Sequence, residues 1–407
     1  MNITENIALK RRVEVSLTGI NIATYTAAAI FLPYILSTII LCFLSIYIIA
    51  NKETRKLIFT SKNSKILKIL MAYVLIIPII YRNWLGLAAG VGVMLAVFLG
   101  LYIRSIMTKD LFERILSLLC EFSVISTGYA IIEKTVHLLD GGRSVHRISA
   151  VFFHPNYFGT VVGTVIIICA YKILTNQSNK LFYYIVAGLN VISMYLCKSM
   201  FVWVEVFVGI TVLLFLYKKH RLLAAWLTAA VVGAFMILFL NYNIIPRLYD
   251  VEVTLRLRQQ IWELTIGRIL EAPIFGNGFY SFMYLFDESY RNQVIPHSHS
   301  IYLDMLLNFG LVGSTIFMIY MVKYYKSVIR ICFKEKNVMI TSLILAVSAA
   351  AAVHGITDIT LLWVQTLPLF VLILSGLGAF ENKEKDAMSV IPYDILAEIL
   401  DSNINVK

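Results

Sequence analysis

Long apolar runs follow one another along almost the whole chain, and they restrict its fold more than any other feature. A helix that crosses the roughly 30 Å hydrocarbon core of a bilayer needs about 20 mostly apolar residues, because each residue rises about 1.5 Å. The 407-residue chain is 59% hydrophobic and only 14% charged, a composition that excludes an ordinary water-soluble domain. We therefore expect an all-α polytopic integral membrane protein.

Hydropathy predicts about twelve spans, with both termini in the cytoplasm. Lysine and arginine concentrate in cytoplasmic loops, so the basic clusters that begin at Lys10 and Lys52 require an even number of crossings between them. The predicted spans are 16–33, 34–50, 66–81, 84–103, 111–132, 157–174, 181–197, 200–217, 222–240, 301–322, 338–356 and 359–379.

This topology makes residues 1–407 a single transmembrane domain with two long extracytoplasmic segments, 133–156 and 241–300, and a cytoplasmic tail, 381–407. The larger segment contains a predicted amphipathic helix on or near the membrane surface. The N-terminus lacks the short apolar core and small-residue cleavage site of a signal peptide, so we expect the first span to be retained. The five cysteines lack metal-like spacing, and we expect neither a disulfide nor a metal site.

The basic residues predicted to lie outside are mostly arginines, whereas those inside are mostly lysines. The planar guanidinium group binds phosphate oxygens through two parallel hydrogen bonds. Arg143 and Arg147 in the first segment, and Arg256 and Arg258 in the second, are therefore candidate ligands of a lipid-linked phosphate or pyrophosphate. The alternative for each is contact with lipid headgroups or pairing with a nearby carboxylate.

Four other polar residues lie close to predicted span ends. Asn156 follows Pro155, where it either caps the next helix or offers a polar group to an anion. His297 and His299 precede a span, and imidazole can take a proton from a hydroxyl near neutral pH. A His-x-His metal pair is the alternative, although no cysteine or Glu-x-x-His partner lies nearby in the sequence. Asp358 is either a second acid or base or the polar tip of a helical hairpin.

Three segments form a recognisable ordered pattern. Arg147 is followed nine residues later by Asn156, Arg258-Gln-Gln-Ile-Trp262 precedes Pro273-Ile-Phe-Gly-Asn-Gly278, and His299-Ser-Ile-Tyr-Leu303 precedes Gly310 and Gly313. In order and spacing, these segments resemble motifs of the bacterial O-antigen ligase and Wzy-type polysaccharide polymerase superfamily.

The resemblance implies a membrane-embedded GT-C fold and inverting, metal-independent transfer of sugars from undecaprenyl pyrophosphate outside the plasma membrane. It implies that His299 is the general base and that arginines hold the pyrophosphate. The arginines are Arg147 and Arg258, with Arg143 and Arg256 as neighbours that could share the role. The site would be shaped by Asn156, His297, Tyr302 and Asp358.

The resemblance also implies ligands and partners. We expect undecaprenyl-pyrophosphate-linked oligosaccharides and membrane lipids as ligands, with no cofactor, no metal and no nucleic acid. A flippase and a chain-length regulator of the same pathway are the expected protein partners, and the bacterial plasma membrane is the expected location.

Four positions depart from the family pattern. Ala150 replaces the usual Gly, Ser300 the usual Asn, and Asn308 a common acidic residue. Met200 replaces the Arg of a Ser-Arg element, which removes one possible phosphate ligand, and the nearby Lys198 cannot bind in bidentate fashion.

We expect a polymerase of oligosaccharide repeat units for a capsule, exopolysaccharide or O-antigen. A ligase that moves finished polymer to another acceptor remains open, because the motifs do not separate the two. A transporter or lipid flippase would bury charges in mid-span, and only Glu121 and Glu205 fit that pattern. A non-catalytic assembly partner would tolerate loss of His299 and Arg147.

Overall fold

Every regular element in the part of the chain described by the computed structural model is helical. The described residues are 18–59, 64–141, 146–175, 179–240, 245–285 and 297–381. Arg143, the N-terminal residues before 18 and the predicted tail after 381 lie outside these ranges.

The helices follow the apolar runs of the sequence. Named in chain order, they are α1 (18–29), α2 (Tyr34–Ala50), α3 (Lys52–Phe59), α4 (Ser64–Ile80), α5 (Trp84–Ile106), α6 (Lys109–Leu139), α7 (Pro155–Thr175), α8 (Lys180–Cys197), α9 (Met200–Leu216), α10 (His220–Leu240), α11 (Val251–Glu271), α12 (Ser281–Leu285), α13 (Ile301–Ile329), α14 (Met339–His354), α15 (Thr366–Ser375) and α16 (Gly378–Glu381).

Six helices in the described ranges are long and apolar enough to cross a membrane, or seven if α2 and α3, bent by 91°, form one broken span. The six are α5, α6, α7, α8, most of α10, and α13 with its continuation to Lys334. The shorter α9, α14 and α15–α16 are also apolar. The chain is therefore a multi-pass membrane protein with a helix at each predicted span, and the full count of twelve stays a prediction.

Two predicted boundaries differ from the observed ones. Helix α6 continues to Leu139, so the first part of the predicted segment 133–156 is helical. The last predicted span, 359–379, begins with a short 3-10 turn at Thr360–Leu362, and its α-helix starts only at Thr366. Hydropathy missed this difference because the turn residues are as apolar as the helix that follows them.

Helix α7 lies at the centre of the bundle, since most of its residues are buried. It packs against α8 and α9, and α9 packs against α14. A buried amine needs a counter-charge in an apolar interior. Lys172 of α7 meets this requirement by donating to the carboxylate and, at 2.9 Å, to the backbone carbonyl of Glu113 on α6.

Helix α13 is interrupted at Gly310, which adopts φ 57° and ψ −167°. In a continuous helix the N–H groups of Leu311 and Val312 would donate to the carbonyls of Leu307 and Asn308. Here those carbonyls instead accept from Asn277 (3.0 Å) and Gly278 (2.9 Å). The released N–H groups donate to two other carbonyls of the same loop, those of Pro273 (2.9 Å) and Ile274 (3.0 Å).

The loop 273–278 is therefore inserted into the hydrogen-bond ladder of α13, and it bonds the groups that the break releases. Side chains from two other helices hold this junction. The Tyr73 hydroxyl on α4 lies 2.7 Å from the carbonyl of Phe275 and 2.8 Å from that of Phe309. Asn83, which precedes α5, donates to the carbonyl of Phe279 at 2.9 Å. The G-x-G and G-x-x-G motifs thus meet at one structural joint.

The first testable prediction concerns this joint. A Cβ at Gly276, where φ is +68°, would lie 2.5 Å from the Gly310 nitrogen, so Gly276→Ala should lower the free energy of unfolding by about 2 kcal/mol or more. The matched control is Gly267→Ala, an exposed helical position with open space around its Cβ, which should be neutral or stabilising. Thermal unfolding in detergent measures both, and equal melting temperatures for the two variants would contradict the role of the joint.

Candidate functional site

The buried carboxylate of Asp358 joins three segments that are far apart in the sequence. Its Oδ1 lies 3.6 Å from His299 Nδ1 and 3.8 Å from His297 Nε2. Its Oδ2 accepts a hydrogen bond of 2.6 Å from the side-chain amide of Asn156. The structure therefore places three of the predicted site residues, Asn156, His297 and His299, beside the carboxylate of a fourth, Asp358.

Asp358 is held by the turn that follows α14. Its N–H donates to the carbonyl of His354, and its Oδ1 accepts from the N–H of Ile359 at 2.8 Å. Burial would raise the pKa of Asp358, but the interactions with His299 and His297 outweigh it and hold the pKa well below its usual range. The carboxylate is consequently ionised at neutral pH.

His299 is the partly exposed member of the histidine pair, with 25% of its side chain accessible. A carboxylate that faces Nδ1 favours the proton on that nitrogen and leaves Nε2 as the proton acceptor. The residue adopts φ 53°, a left-handed conformation uncommon for a side chain that is not glycine. This backbone turn places both rings beside the same carboxylate.

His297 is buried, and burial lowers its pKa to about 3. Its Nδ1 accepts the N–H of His299 at 3.2 Å, so the proton of the neutral ring is on Nε2, toward Asp358. The two rings lie edge to face with centroids 4.4 Å apart. His297 thus remains a neutral neighbour that supports His299.

Side chains of α13 hold the loop that carries both histidines. The N–H of Ser298 donates to Asp304 Oδ1 at 3.0 Å, and the Asn308 amide donates to Asp304 Oδ2 at 3.3 Å. Asn308 in turn accepts from the backbone and hydroxyl of Ser281. An acid at position 308 could not donate to Asp304 when ionised, which gives a physical reason for the departure from the family pattern here.

Arg147 approaches the site from the opposite side of Asp358. One of its terminal nitrogens donates to Asn156 Oδ1, and its Nε donates to the carbonyl of Cys197 at 3.1 Å. Burial, together with the nearby charge of Arg247, lowers the pKa of Arg147 to about 10, which leaves it charged at neutral pH. Asn156 therefore bridges Arg147 and Asp358 and does not act as a simple helix cap.

Arg258 and Arg256 occupy different faces of α11. The Arg258 side chain is buried, lies 4.8 Å over the ring of Phe201, and has a terminal nitrogen without a hydrogen-bond partner among the described residues. Burial lowers its pKa, and the charge of Asp358 partly offsets this. Arg256 is 75% exposed and pairs with Glu252. The structure brings Arg258, and not Arg256, toward the site.

Two further basic residues, Arg247 and Lys198, lie within electrostatic reach of Arg147, and these three residues together with Arg258 are called the basic cluster below. Sequence reasoning did not select Arg247, and it named Lys198 only as a residue near the missing arginine. The charge of Arg247 lowers the pKa of both Arg147 and Arg258, which places it within electrostatic reach of both. Burial, followed by the charges of Lys134, Arg247 and Arg147, lowers the pKa of Lys198, which directly follows α8. Arg247 belongs to the segment 241–300, which the sequence predicts to lie outside, but to no motif, so only the fold could single it out.

His354, whose carbonyl accepts from the N–H of Asp358, forms a buried pair with Glu205. His354 Nδ1 and Glu205 Oε2 are 2.6 Å apart, and both side chains are almost fully buried. The Thr160 hydroxyl lies 3.4 Å from the same histidine nitrogen and donates to Thr360 at 2.9 Å. Glu205, which the sequence left open as a transport residue, thus links α9 to the end of α14 that positions Asp358.

Tyr302 does not join the group. It is 45% exposed, and its hydroxyl donates to the carbonyl of Ala352 at 2.7 Å, which links α13 to α14. Its part in the motif is therefore explained by helix packing.

The arrangement admits two kinds of chemistry. His297, His299 and Asp358 each offer one ligand atom within 4.8 Å of one another, a donor set that a divalent metal could use. The same set can transfer a proton, with Asp358 orienting His299. The absence of a metal therefore stays a prediction, and the basic cluster beside the histidines suits an anionic group in either case.

The low pKa of His297 predicts a pH-dependent stability. Because its pKa is about 3 in the folded protein and about 6.5 in the unfolded chain, only the unfolded chain gains a proton as the pH falls below 6.5. Stability is therefore lost in that window, by up to about 1.4 kcal/mol per pH unit. His297→Gln should show a shallower loss of melting temperature between pH 7 and pH 5 than wild type. The exposed His220→Gln is the control, and equal slopes in all three proteins would contradict a buried neutral His297.

Comparison with known proteins gives a family match for part of the chain. Residues 185–318 match the family model described as O-antigen ligase, a range that runs from α8 into α13 and includes Arg258, His297 and His299. No curated protein matches the chain. The resemblance to the O-antigen ligase and Wzy-type superfamily is thereby confirmed, and the chain carries an O-antigen ligase family region between residues 185 and 318.

Proposed function

We propose that the protein polymerises undecaprenyl-pyrophosphate-linked oligosaccharide repeat units into a capsule, exopolysaccharide or O-antigen on the outer face of the bacterial plasma membrane. The family match supports glycosyl transfer in polysaccharide assembly. The observation that supports the mechanism most is that the two carboxylate oxygens of Asp358 contact different partners. One of its oxygens faces His299, and the other is bonded to Asn156, which accepts from Arg147.

The reaction begins with a hydroxyl of the incoming repeat unit. His299 Nε2 takes the hydroxyl proton while the oxygen attacks the anomeric carbon of the growing chain. The bond from that carbon to the pyrophosphate breaks, and its electron pair leaves with the pyrophosphate. A single displacement of this kind inverts the configuration at the anomeric carbon. Asp358 remains ionised and stabilises the imidazolium that forms.

The departing pyrophosphate gains negative charge, which the basic cluster is placed to stabilise. Arg258 has a terminal nitrogen free of protein hydrogen bonds among the described residues, and a buried unpaired cation is costly without an anion beside it. Lys198 adds positive charge two residues from Met200, which replaces the family arginine, and Arg247, which pairs with Asp250 at 3.2 Å, acts on the same Lys198 and Arg147. Together they offset the missing ligand through charge, although Lys198 cannot supply a planar fork.

A ligase would use the same steps with another acceptor, so the product distinguishes the two reactions. A polymerase extends a purified lipid-linked oligosaccharide into a ladder of regularly spaced products, whereas a ligase requires a different acceptor molecule. Two observations disfavour transport: Glu205 is paired with His354 within the described residues, and Glu121, the other mid-span carboxylate, is exposed on the surface of α6.

The next prediction tests the general base and the metal alternative together. In vitro extension should continue in EDTA, and His299→Ala should lower kcat by about 100-fold or more, because proton removal by a placed base contributes roughly that much. His220→Ala, an exposed histidine outside the site, is the matched control and should retain activity. Loss of extension in EDTA that Zn²⁺ or Mn²⁺ restores would instead assign His297, His299 and Asp358 to a metal.

Another prediction separates the two arginines of α11. Arg258→Ala should reduce kcat/KM for the lipid-linked donor by about 100-fold, and Arg258→Lys should recover only part of it, because lysine lacks the fork. The matched control, Arg256→Ala, should behave as wild type, since Arg256 is exposed and, within the part of the chain that the structure describes, pairs with Glu252 on its own helix.

Stability separates a functional from a structural role for Arg258. Because its charge is buried without a full set of partners, Arg258→Ala should melt at or above the wild-type temperature while losing activity. A variant that loses stability in proportion to activity would overturn the assignment of Arg258 to the pyrophosphate.

A further inference from the structure

A carboxylate near the end of α6 binds the backbone of the loop that carries Arg147. Glu133 Oε2 accepts the N–H of Ala150 at 2.7 Å, and Glu133 Oε1 accepts the N–H of Ser149 at 3.4 Å. Hydrogen bonds to an ionised acceptor are stronger than those between neutral groups, so this pair fixes the backbone between the two residues. Glu133 belongs to no motif, and the proposed reaction does not use it.

The backbone that Glu133 holds is a tight turn with an uncommon conformation. The N–H of Phe152 donates to the carbonyl of Ser149 at 3.0 Å, and the second residue of this turn, Ala150, adopts φ 52°. A turn with positive φ at its second residue favours glycine, because a Cβ crowds the backbone there. The hydrogen bond from Ala150 to Glu133 therefore stabilises a conformation that alanine by itself disfavours.

The other end of the same loop is bound to α8 and its end. The N–H of Ile148 donates to the carbonyl of Leu196 at 3.3 Å, and Arg147 Nε donates to the carbonyl of Cys197 at 3.1 Å. Arg147 thus precedes a turn that α6 holds and lies against the end of α8. A shift of the turn would move the backbone of Arg147 and change the direction of its guanidinium group.

The guanidinium group of Arg147 has little freedom to shift without losing its place in the site. It donates to Asn156 Oδ1, and the amide of Asn156 donates to Asp358 at 2.6 Å. Arg147 therefore keeps its bridge to Asp358 only while the loop holds it within reach of Asn156.

We propose that Glu133 is a positioning residue for the reaction, a role that rests on and deepens the proposed function. It holds the turn 149–152 so that Arg147 faces the pyrophosphate of the lipid-linked donor while Asn156 bridges it to Asp358. Glu133 acts through Arg147 and not on the substrate. Its contribution is geometric, because its negative charge by itself would repel an anion.

Charge and position predict opposite results for the same substitution. Glu133→Gln removes a negative charge, which by charge alone would strengthen the binding of pyrophosphate. It also leaves one acceptor oxygen for two N–H groups, which loosens the turn and should weaken that binding. Glu133→Asp keeps the charge but is one methylene shorter, so it cannot hold both N–H groups where they are and should weaken binding as well.

The test measures the dissociation constant of undecaprenyl pyrophosphate for the purified full-length protein in detergent. Thermal unfolding first confirms that each variant is folded. Glu133→Gln and Glu133→Asp should each bind about tenfold more weakly than wild type, the size expected from one lost hydrogen bond to a charged group. Glu121→Gln removes an exposed carboxylate from the same helix and should bind as wild type. Binding at wild-type strength or tighter by either folded Glu133 variant would overturn the inference.

A double-mutant cycle separates positioning from a general structural role. Arg147→Ala should weaken binding further than Glu133→Gln does, and adding Glu133→Gln to Arg147→Ala should cause no additional loss, because Glu133 acts through the missing side chain. An equal loss from Glu133→Gln in both backgrounds would assign it to overall structure and overturn the positioning role.

A transfer assay distinguishes this inference from the proposed function. In the extension of lipid-linked oligosaccharide, Glu133→Gln should raise KM for the donor by a similar factor and leave KM for the acceptor unchanged. If wild type binds undecaprenyl pyrophosphate but transfers no sugar, the proposed function fails, and the binding results alone decide the role of Glu133. Transfer with an unchanged KM for the donor in Glu133→Gln would overturn the inference and leave the proposed function intact.

Discussion

The position of the candidate site depends on the exchange of backbone hydrogen bonds between the loop 273–278 and the broken helix α13. In a membrane protein the hydrocarbon supplies no water to bond a free N–H or C=O group, so a break in a spanning helix is stable only where other protein groups replace the lost bonds. The loop replaces them at Leu307, Asn308, Leu311 and Val312. Because this joint also orients Asn308 and Asp304, it fixes the loop that carries His297 and His299.

The electrostatics of the candidate site depend on the buried carboxylate of Asp358, which lies among histidines and arginines. Asp358 is ionised because the histidines beside it outweigh the cost of its burial. Its charge also favours the cationic form of Arg258 against the cost of that residue's burial. A site with more cationic groups than carboxylates favours an anionic ligand. Because the site is largely buried, each interaction with such a ligand is stronger than it would be in water.

Two of the four departures from the family pattern, at Asn308 and Met200, can be related to local contacts or charges. Asn308 can donate to Asp304 while it accepts from Ser281, which a carboxylate could not do. Where Met200 replaces the family arginine, Lys198 lies two residues away and within electrostatic reach of Arg147 and Arg247. Nothing in the described contacts explains why Ser300 replaces Asn. The family reaction is thus compatible with a different set of basic residues in this chain.

Much of the helical architecture was predictable from the sequence, because a spanning helix must be both long and apolar, and these are one-dimensional properties. The place of His299 just before a helix was predictable for the same reason, whereas the outer location of the arginine-rich segments stays a prediction. Periodicity could not choose between Arg256 and Arg258, because neighbouring positions on an exposed helix look alike until one face is buried against α13.

The sequence by itself therefore determined that the chain is a multi-pass helical membrane protein with family motifs in a defined order. Only the tertiary structure decided that Asn156 and His299 both face the carboxylate of Asp358. It also decided that Arg247 lies within electrostatic reach of Arg147 and Arg258, and that Tyr302 lies outside this group. The physical reason is that hydrogen bonds, ion pairs and cavities form between residues up to 202 positions apart in this site, and their strength depends on burial, which no local pattern encodes.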